Sequence, residues 1–295
     1  MVDEISPLRP WRKSCKMVLA LNTWKKHLDL KPMDQVGGHG AWDEKQRMLV
    51  DTNGCILKIL PPPPRGEREV NFYKDINSSE DPGHAQFLPW VPGYHGVSEK
   101  SGGNYLILEN LTHGYGKPCV LDIKMGVRTY GPDASEEKKA KQDASYRGTK
   151  IPFGFSVPGL IAYTGKEKSE QIKLDKTFGK SLDKDNITSV FDLYLDTENK
   201  TEHTKTLARI FLSKLKEFQE MYEQQKTYHI FGSSLLFVYD ASAIICKEKA
   251  ESLHEHVTLK MIDFAHVHPA NEELDENYLI GLRSLIKIFS EYAGN

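Results

Sequence analysis

The chain has 295 residues, with 39 Lys and Arg against 41 Asp and Glu and a net charge of -2. That near balance gives no general attraction to nucleic acid, so any polyanion site must be local. No apolar run approaches the ~18 residues of a transmembrane segment, no signal-peptide pattern opens the chain, and the four cysteines, Cys15, Cys55, Cys119 and Cys246, match no zinc or CxxC spacing. The expectation is a soluble, monomeric protein of the cytoplasm or nucleus, long enough for one large domain or two lobes.

Residues 1–32 read as a separate basic arm. Between Arg9 and Lys31 lie Arg12, Lys13, Lys16, Lys25 and Lys26, against the single acid Asp29. Trp11, Val18 and Trp24 punctuate it. A helix turns ~100° per residue, which sets the two tryptophans on nearly opposite faces. Such a basic helix with spaced anchors suits a two-lobed clamp such as calmodulin, acting on residues 9–31. A cationic surface helix is the alternative.

Residues 33–111 read as a small antiparallel sheet with one helix. RMLVD and CILKIL flank Asn53-Gly54, a strong short hairpin signal. Four prolines and Arg65-Gly66 break the second strand. Glu67 to Ile76 has helical periodicity, with Val70, Tyr73 and Ile76 on one face. Strands around Tyr94–Val97 and in NYLILEN pair across Lys100-Ser-Gly-Gly103.

Residues 112–295 open with PCVLDIKMG, Pro118 to Gly126. Period two puts Asp122 and Lys124 on one face of this strand. Opposite charges projecting from a buried strand are costly unless they meet a ligand or each other, so a structural ion pair is the competing reading. Ala134–Gln142 is a charged helix or turn. A β segment follows near Phe153–Tyr163, then a helix over Ile187–Leu195. Thr201–Lys226 is the clearest helix, with a core stripe of Leu207, Ile210, Phe211, Leu215, Phe218, Met221 and Tyr222. GSSLLFVYD and VTLKMIDFAHV are strands around a polar loop. Tyr278–Tyr292 is a last helix burying Leu282, Leu285, Ile286 and Phe289.

Asp263, at the end of an apolar strand, is placed to hold magnesium through a hard oxygen ligand, or to cap a turn. His266 lies three residues on and is either a ligand contact or a satisfied core residue. Lys58 in a strand, eleven residues before Glu69 on a helix, is how two-lobed kinases fix a lysine on nucleotide phosphates. The order of strand lysine, helix glutamate, linker, acid-bearing strand and distal aspartate is that of a two-lobed phosphotransferase. No P-loop, G-x-G-x-x-G or H-R-D motif accompanies it.

PCVLDIKMG matches the PxxxDxKxG signature of the inositol polyphosphate kinases. GSSLLFVYD resembles their second motif and MIDFAHV their third, and LKILPPPPRGEREVNFY resembles the nucleotide-lobe segment of the multikinases among them. The likeness runs from about Gln35 to Tyr292. It implies an α+β, two-lobed kinase-like fold: a small antiparallel N-lobe over 33–111, and a larger C-lobe over 112–295 with a short inositol-phosphate-binding insert at about 132–152. By resemblance, Lys58 contacts ATP phosphates and Glu69 orients it. Glu109 and Leu111 lie at the hinge that reads adenine, and Asp122 lies near the ribose and reacting centre. Lys124 touches the transferring phosphoryl group and the inositol, and Asp263 holds Mg2+. Arg128, Lys138, Lys141, Gln142 and His266 meet the inositol phosphates. A substrate with several dianionic phosphates needs multiple cations and donors to offset its desolvation.

The DFAH form and the short insert resemble the multikinases, which act on inositol trisphosphate and tetrakisphosphate, and leave a site open enough for a phosphoinositide headgroup. MGVRTY, IFGSSLLF and the basic arm resemble the calmodulin-regulated trisphosphate 3-kinases, and DASEEKKAKQ the hexakisphosphate kinases. The expectation is a multikinase using ATP and Mg2+. The other two kinase classes, and an inactive inositol-phosphate-binding scaffold, are the alternatives.

Overall fold

The computed structural model describes residues 31–32, 48–100, 103–164, 170–196, 202–245 and 252–294. The expected calmodulin segment, residues 9–31, lies outside the described residues but for the backbone of Lys31.

The first sheet holds β1 (Lys31–Pro32), β2 (Leu49–Val50) and β3 (Ile56–Ile59), continued by β4 (Tyr94–Lys100) and β5 (Gly103–Leu108). Its order is β1-β2-β3-β5-β4, antiparallel throughout. The β2–β3 hairpin carries the expected Asn53-Gly54, but Asp51 pairs with Cys55 (N to O, 3.0 Å), so Thr52 joins the loop. The Asp51 carboxylate accepts the amides of Asn53 and Cys55 at 2.9 Å each, and Gly54 takes the left-handed conformation (φ +78°). That is the longer hairpin form, with a left-handed last loop residue.

Between β3 and β4 the proline run ends in helix α1 (Arg65–Ser78), which buries Glu69, Phe72, Tyr73 and Ile76. Proline cannot continue the strand ladder but is tolerated ahead of a helix, so the same run ends one element and admits the next. A short α2 (Pro82–Ala85) follows.

The second sheet is built on β6 (Pro118–Met125). After it come α3 (Glu136–Ala144), α4 (Arg147–Phe153), β7 (Phe155–Thr164) and β8 (Glu170–Leu174). Then follow α5 (Lys176–Ser181), α6 (Thr188–Leu195), α7 (Glu202–Tyr222), β9 (Tyr228–Ile230) and β10 (Ser234–Asp240). The chain closes with α8 (Ala241–Ile245), β11 (Val257–Ile262), β12 (Val267–Pro269) and α9 (Glu276–Ala293). The sheet order is β11-β10-β6-β7-β8, with β6 central, and β12 pairs with β9 alone. Helices α6, α7 and α9 pack against this sheet. Phe237 of β10 stacks on Phe289 of α9 (5.3 Å between centroids), and Phe211 of α7 packs on both. Each such ring removed from water stabilises the lobe by roughly 1.5–3 kcal/mol.

The structure corrects the sequence reading in places. MIDFAHV is not one strand: β11 stops at Ile262, Asp263 turns into the left-handed region (φ +68°), and β12 begins at Val267. Strand β7 starts at Phe155 because residues 147–153 form α4, which ends at left-handed Gly154 (φ +70°). A side chain at position 154 would meet Ile280 and the backbone of Gly281 in α9. Pro158 lies in β7 where the register with β6 shifts, since proline has no amide for a regular ladder. Ile286 is only partly buried, and Ile288 takes the core position expected of it. Met221, expected in the core stripe of α7, is likewise only partly buried.

Candidate active site

A cleft of about 200 Å³ opens between the two sheets. Ile56 and Leu108 from the first sheet, and Val120, Leu236 and Ile262 from the second, give it apolar walls. Lys58 and Asp263 supply charge, and Glu109 and Leu111 line it at the linker between the sheets. Apolar walls with a few placed polar groups are the usual form of a site for a planar ligand. The Glu109 carboxylate is itself structural. It accepts the Gly93 amide at 2.9 Å, while the Glu109 amide donates to the Gly93 carbonyl at 2.8 Å. What the linker can offer a base is therefore backbone, not this side chain.

Lys58 reaches from β3 to two acids. Its Nζ lies 2.7 Å from Glu69 Oε1 and 2.5 Å from Asp263 Oδ1. The first contact is the expected pair; the second closes the two sheets on each other. Glu69 is 1% exposed, and its Oε1 also accepts the Phe264 amide at 3.2 Å. The ring of Phe264 stacks on Phe72 of α1, 4.0 Å between centroids. Burial alone would pull Lys58 down, but Asp263 and Glu69 outweigh it and hold the ammonium above the ordinary lysine range. Burial alone would likewise push Asp263 up; the ammoniums of Lys58 and Lys124 hold it below the ordinary carboxylate range.

Asp122 is 6% exposed, and its Oδ1 finds no hydrogen-bond partner among the described residues. Burial pushes its carboxyl up to about 6. Lys124 and the neighbouring Ser234 hydroxyl oppose this, while the Asp263 charge adds to it. The Lys124 charge thus acts on both Asp122 and Asp263. Two carboxylates with hard oxygens, one carrying an orphaned buried atom, fit a divalent cation that prefers oxygen ligands.

Beyond the turn at Asp263 lies a cationic wall around His266. Lys138 of α3 sits 3.2 Å from His266 Nε2. Burial, then the Lys138 charge, depresses His266 to about 4, so the ring is neutral at physiological pH. Arg65 and Arg68 at the start of α1 also bear on His266 and Lys138. The sequence reading missed both, although their i,i+3 spacing after the proline run marks one helix face. Arg128 stacks over Phe231 at 4.3 Å, and its backbone is bracketed by the Asn277 amide (2.8 and 2.9 Å). Gln142 is tied inward: its Oε1 accepts from the Thr129 hydroxyl at 2.8 Å, and its carbonyl accepts from Lys150. Lys150, 3% exposed and absent from the sequence reading, therefore braces α3 from α4. Lys141 is exposed on α3. Lys58, Glu69, Asp122, Lys124 and Asp263 thus come together, Lys138 and His266 pair beside them, and Gln142 serves the insert rather than the cleft.

The chain is similar to known proteins. The family described as inositol polyphosphate kinase matches residues 105–290. The Arabidopsis thaliana inositol polyphosphate multikinase alpha is 34% identical over 276 residues, 88% of this chain and 94% of that protein. The human inositol polyphosphate multikinase is 33% identical over 214 residues, 71% of this chain and 50% of that one. The crystal structure of the inositol phosphate multikinase Ipk2 from S. cerevisiae, in complex with ADP and Mn2+, superposes with a TM-score of 0.66 at 26% identity, covering 81% of this chain and 98% of the other. With a buried lysine–glutamate pair, an acid-bearing central strand and a matching profile over most of its length, the chain belongs to the inositol polyphosphate kinase family.

Proposed function

We propose that the protein is an inositol polyphosphate multikinase, transferring the γ-phosphoryl group of ATP to hydroxyls of inositol trisphosphate and tetrakisphosphate. The observation that carries this is the central strand β6. Its Asp122 and Lys124 act on Asp263 at the edge of the apolar interlobe cleft that contains Lys58, and His266, three residues beyond Asp263, pairs with Lys138 near Arg65. In this reading Lys58, fixed by Glu69, draws the ATP phosphates into line. The linker backbone near Glu109 and Leu111 reads the adenine. Lys124 offsets the negative charge spread over the phosphoryl oxygens in the transition state. Asp122 positions the nucleotide at the reacting centre. Arg65, Lys138, His266 and the guanidinium of Arg128 receive the substrate phosphates. Asp263, with Asp122 beside it, would hold Mg2+, which neutralises phosphate charge during transfer.

The relatives named multikinases and the Ipk2 complex with ADP and Mn2+ support this over the trisphosphate 3-kinase and hexakisphosphate kinase readings. The test is a panel of inositol phosphates with isomer-resolved products. Pentakisphosphate formed from trisphosphate is expected. Arrest at a single tetrakisphosphate would overturn the reading in favour of a 3-kinase. The same panel with phosphoinositide vesicles asks whether lipid headgroups enter.

The basic arm carries a further proposal, that residues 9–31 bind calmodulin in a calcium-dependent way. It rests on the spacing of Trp11, Val18 and Trp24 among lysines and arginines. Adding calcium-calmodulin is expected to shift the tryptophan emission, and Trp11→Ala to reduce that shift. An unchanged spectrum would remove the proposal.

A further inference from the structure

Next to Lys138 lies a group of three donors, of which only His266 has a place in the kinase reading. Asp133, ahead of α3, meets His266 and His268 so that one donor atom of each lies within 4.8 Å of the others. His268 Nε2 and Asp133 Oδ1 are 3.7 Å apart. His266 Nδ1 and His268 Nε2 are both buried with no hydrogen-bond partner among the described residues. Buried polar atoms left unpaired are uncommon and call for a ligand or another explanation.

We propose that Asp133, His266 and His268 form a binding site for a transition-metal dication such as Zn2+, and that its occupation excludes the inositol phosphate. The second half rests on the reading of His266 as a substrate contact. Two imidazoles and a carboxylate with a position left for water are the donor set of an open zinc site. Zinc bonds to nitrogen and oxygen of about 2.0–2.2 Å require donors roughly 3.3–3.5 Å apart, so the group needs to close by up to about 1.5 Å. Imidazole donors favour zinc, nickel or copper over magnesium. Burial and the neighbouring cations keep both histidines below the ordinary range, so their lone pairs are available at neutral pH.

The surroundings fit. Gly131 has an ordinary φ, but a Cβ there would lie 2.4 Å from His268 Nε2 and 2.8 Å from Asp133 Oδ1. The space between these two donors is open only because position 131 has no side chain. Arg68 donates to Asp133 Oδ2 at 2.7 Å and leaves Oδ1 directed towards His268. A carboxylate held on its outer oxygen is how metal ligands are commonly oriented. The opposing charges are Arg65, Arg68, Arg128 and Lys138, with His229 facing His268 across the β9–β12 pair. Arg68 is neutralised by Asp133 itself. Lys138, 3.2 Å from His266 Nε2, is the group that must swing away. That movement links the two ligands: a metal on His266 repels the lysine that would otherwise meet a substrate phosphate.

The experiment uses the full chain stripped with chelator, titrated with Co2+ alone as a spectroscopic substitute for Zn2+. A four-coordinate imidazole-containing site gives intense visible bands, whereas Co2+ on the oxygen ligands at Asp263 gives only weak ones. The expected result is saturable intense absorption, with affinity at least about tenfold weaker in His268→Gln and in Asp133→Asn. Zn2+ is then expected to raise the KM for inositol trisphosphate in the wild type and not in His268→Gln. Absence of the bands, or equal bands in both variants, overturns the site. Bands without any effect on KM overturn the exclusion of substrate. A chain without kinase activity on any inositol phosphate would instead overturn the multikinase reading, and the absorption would still report on the metal.

Discussion

Asp122 shows at the scale of one residue how this site trades stability for function. Its folded pKa of about 6 stands above the ordinary 3.8, so the folded protein holds that proton more tightly than the unfolded chain does. The cost of the buried charge is therefore absent below pH 3.8, grows as pH rises towards 6, and is constant above. A shift of this size corresponds to about 3 kcal/mol at neutral pH. Asp122→Asn is expected to raise the melting temperature of the ligand-free protein at pH 7.5, with no gain at pH 3.5, and to abolish turnover. Thermal denaturation at the two pH values checks the sign. Lys124→Ala is expected to keep the fold and lower kcat by about 10²–10³-fold, the usual loss when one group facing transition-state charge is removed. Near-normal kcat in that variant would refute the role given to the central strand.

Elements with a strong local signal were legible from the sequence, and those set by distant contacts were not. The stripe of α7, the hairpin at Asn53-Gly54 and the near-continuous apolar run of β6 all rest on local chemistry. So does the Lys58–Glu69 pair, because a strand lysine and a helix glutamate separated by a proline break leave few other arrangements. The second partner of Lys58, Asp263, is 205 residues away and could not be read from spacing. Nor could the left-handed turn at Asp263, which is imposed by the hold of Glu69 on the Phe264 amide. Helix α4 hides behind Pro152 and a Gly at each end, and β8 is exposed along most of its length, so neither shows a periodic apolar face. The turn after β6 is another case. Asn277, at the start of α9, brackets the backbone of Arg128 from 149 positions away. Asn277→Ala is expected to loosen that turn, raise the KM for inositol phosphate severalfold and leave the KM for ATP unchanged. Equal change in both would show that the bracket serves the whole lobe, not the substrate wall.

At the scale of the molecule, the two lobes meet through a charged centre wrapped in aromatic rings. Phe72, Tyr73 and Phe264 enclose the contact between α1 and the turn after β11, and Lys58 sits between Glu69 and Asp263 inside it. A buried ion pair adds little over an apolar replacement, but losing one partner strands the other charge. Glu69 is 1% exposed, whereas the Asp263 side chain is 38% exposed and can turn to water. Lys58→Met should therefore destabilise the fold chiefly through Glu69, by about 3–5 kcal/mol. Adding Glu69→Gln to Lys58→Met removes the stranded charge while its amide can still accept from Phe264, so the double variant is expected to regain most of that loss. Activity should remain absent in both, because no ammonium is left to meet the ATP phosphates. Urea unfolding of the wild type, both single variants and the double variant gives the coupling energy directly. Additive losses would mean that Lys58 and Glu69 do not act as a pair in the ligand-free protein. Recovered stability without recovered turnover would separate what the pair does for the fold from what it does for the nucleotide.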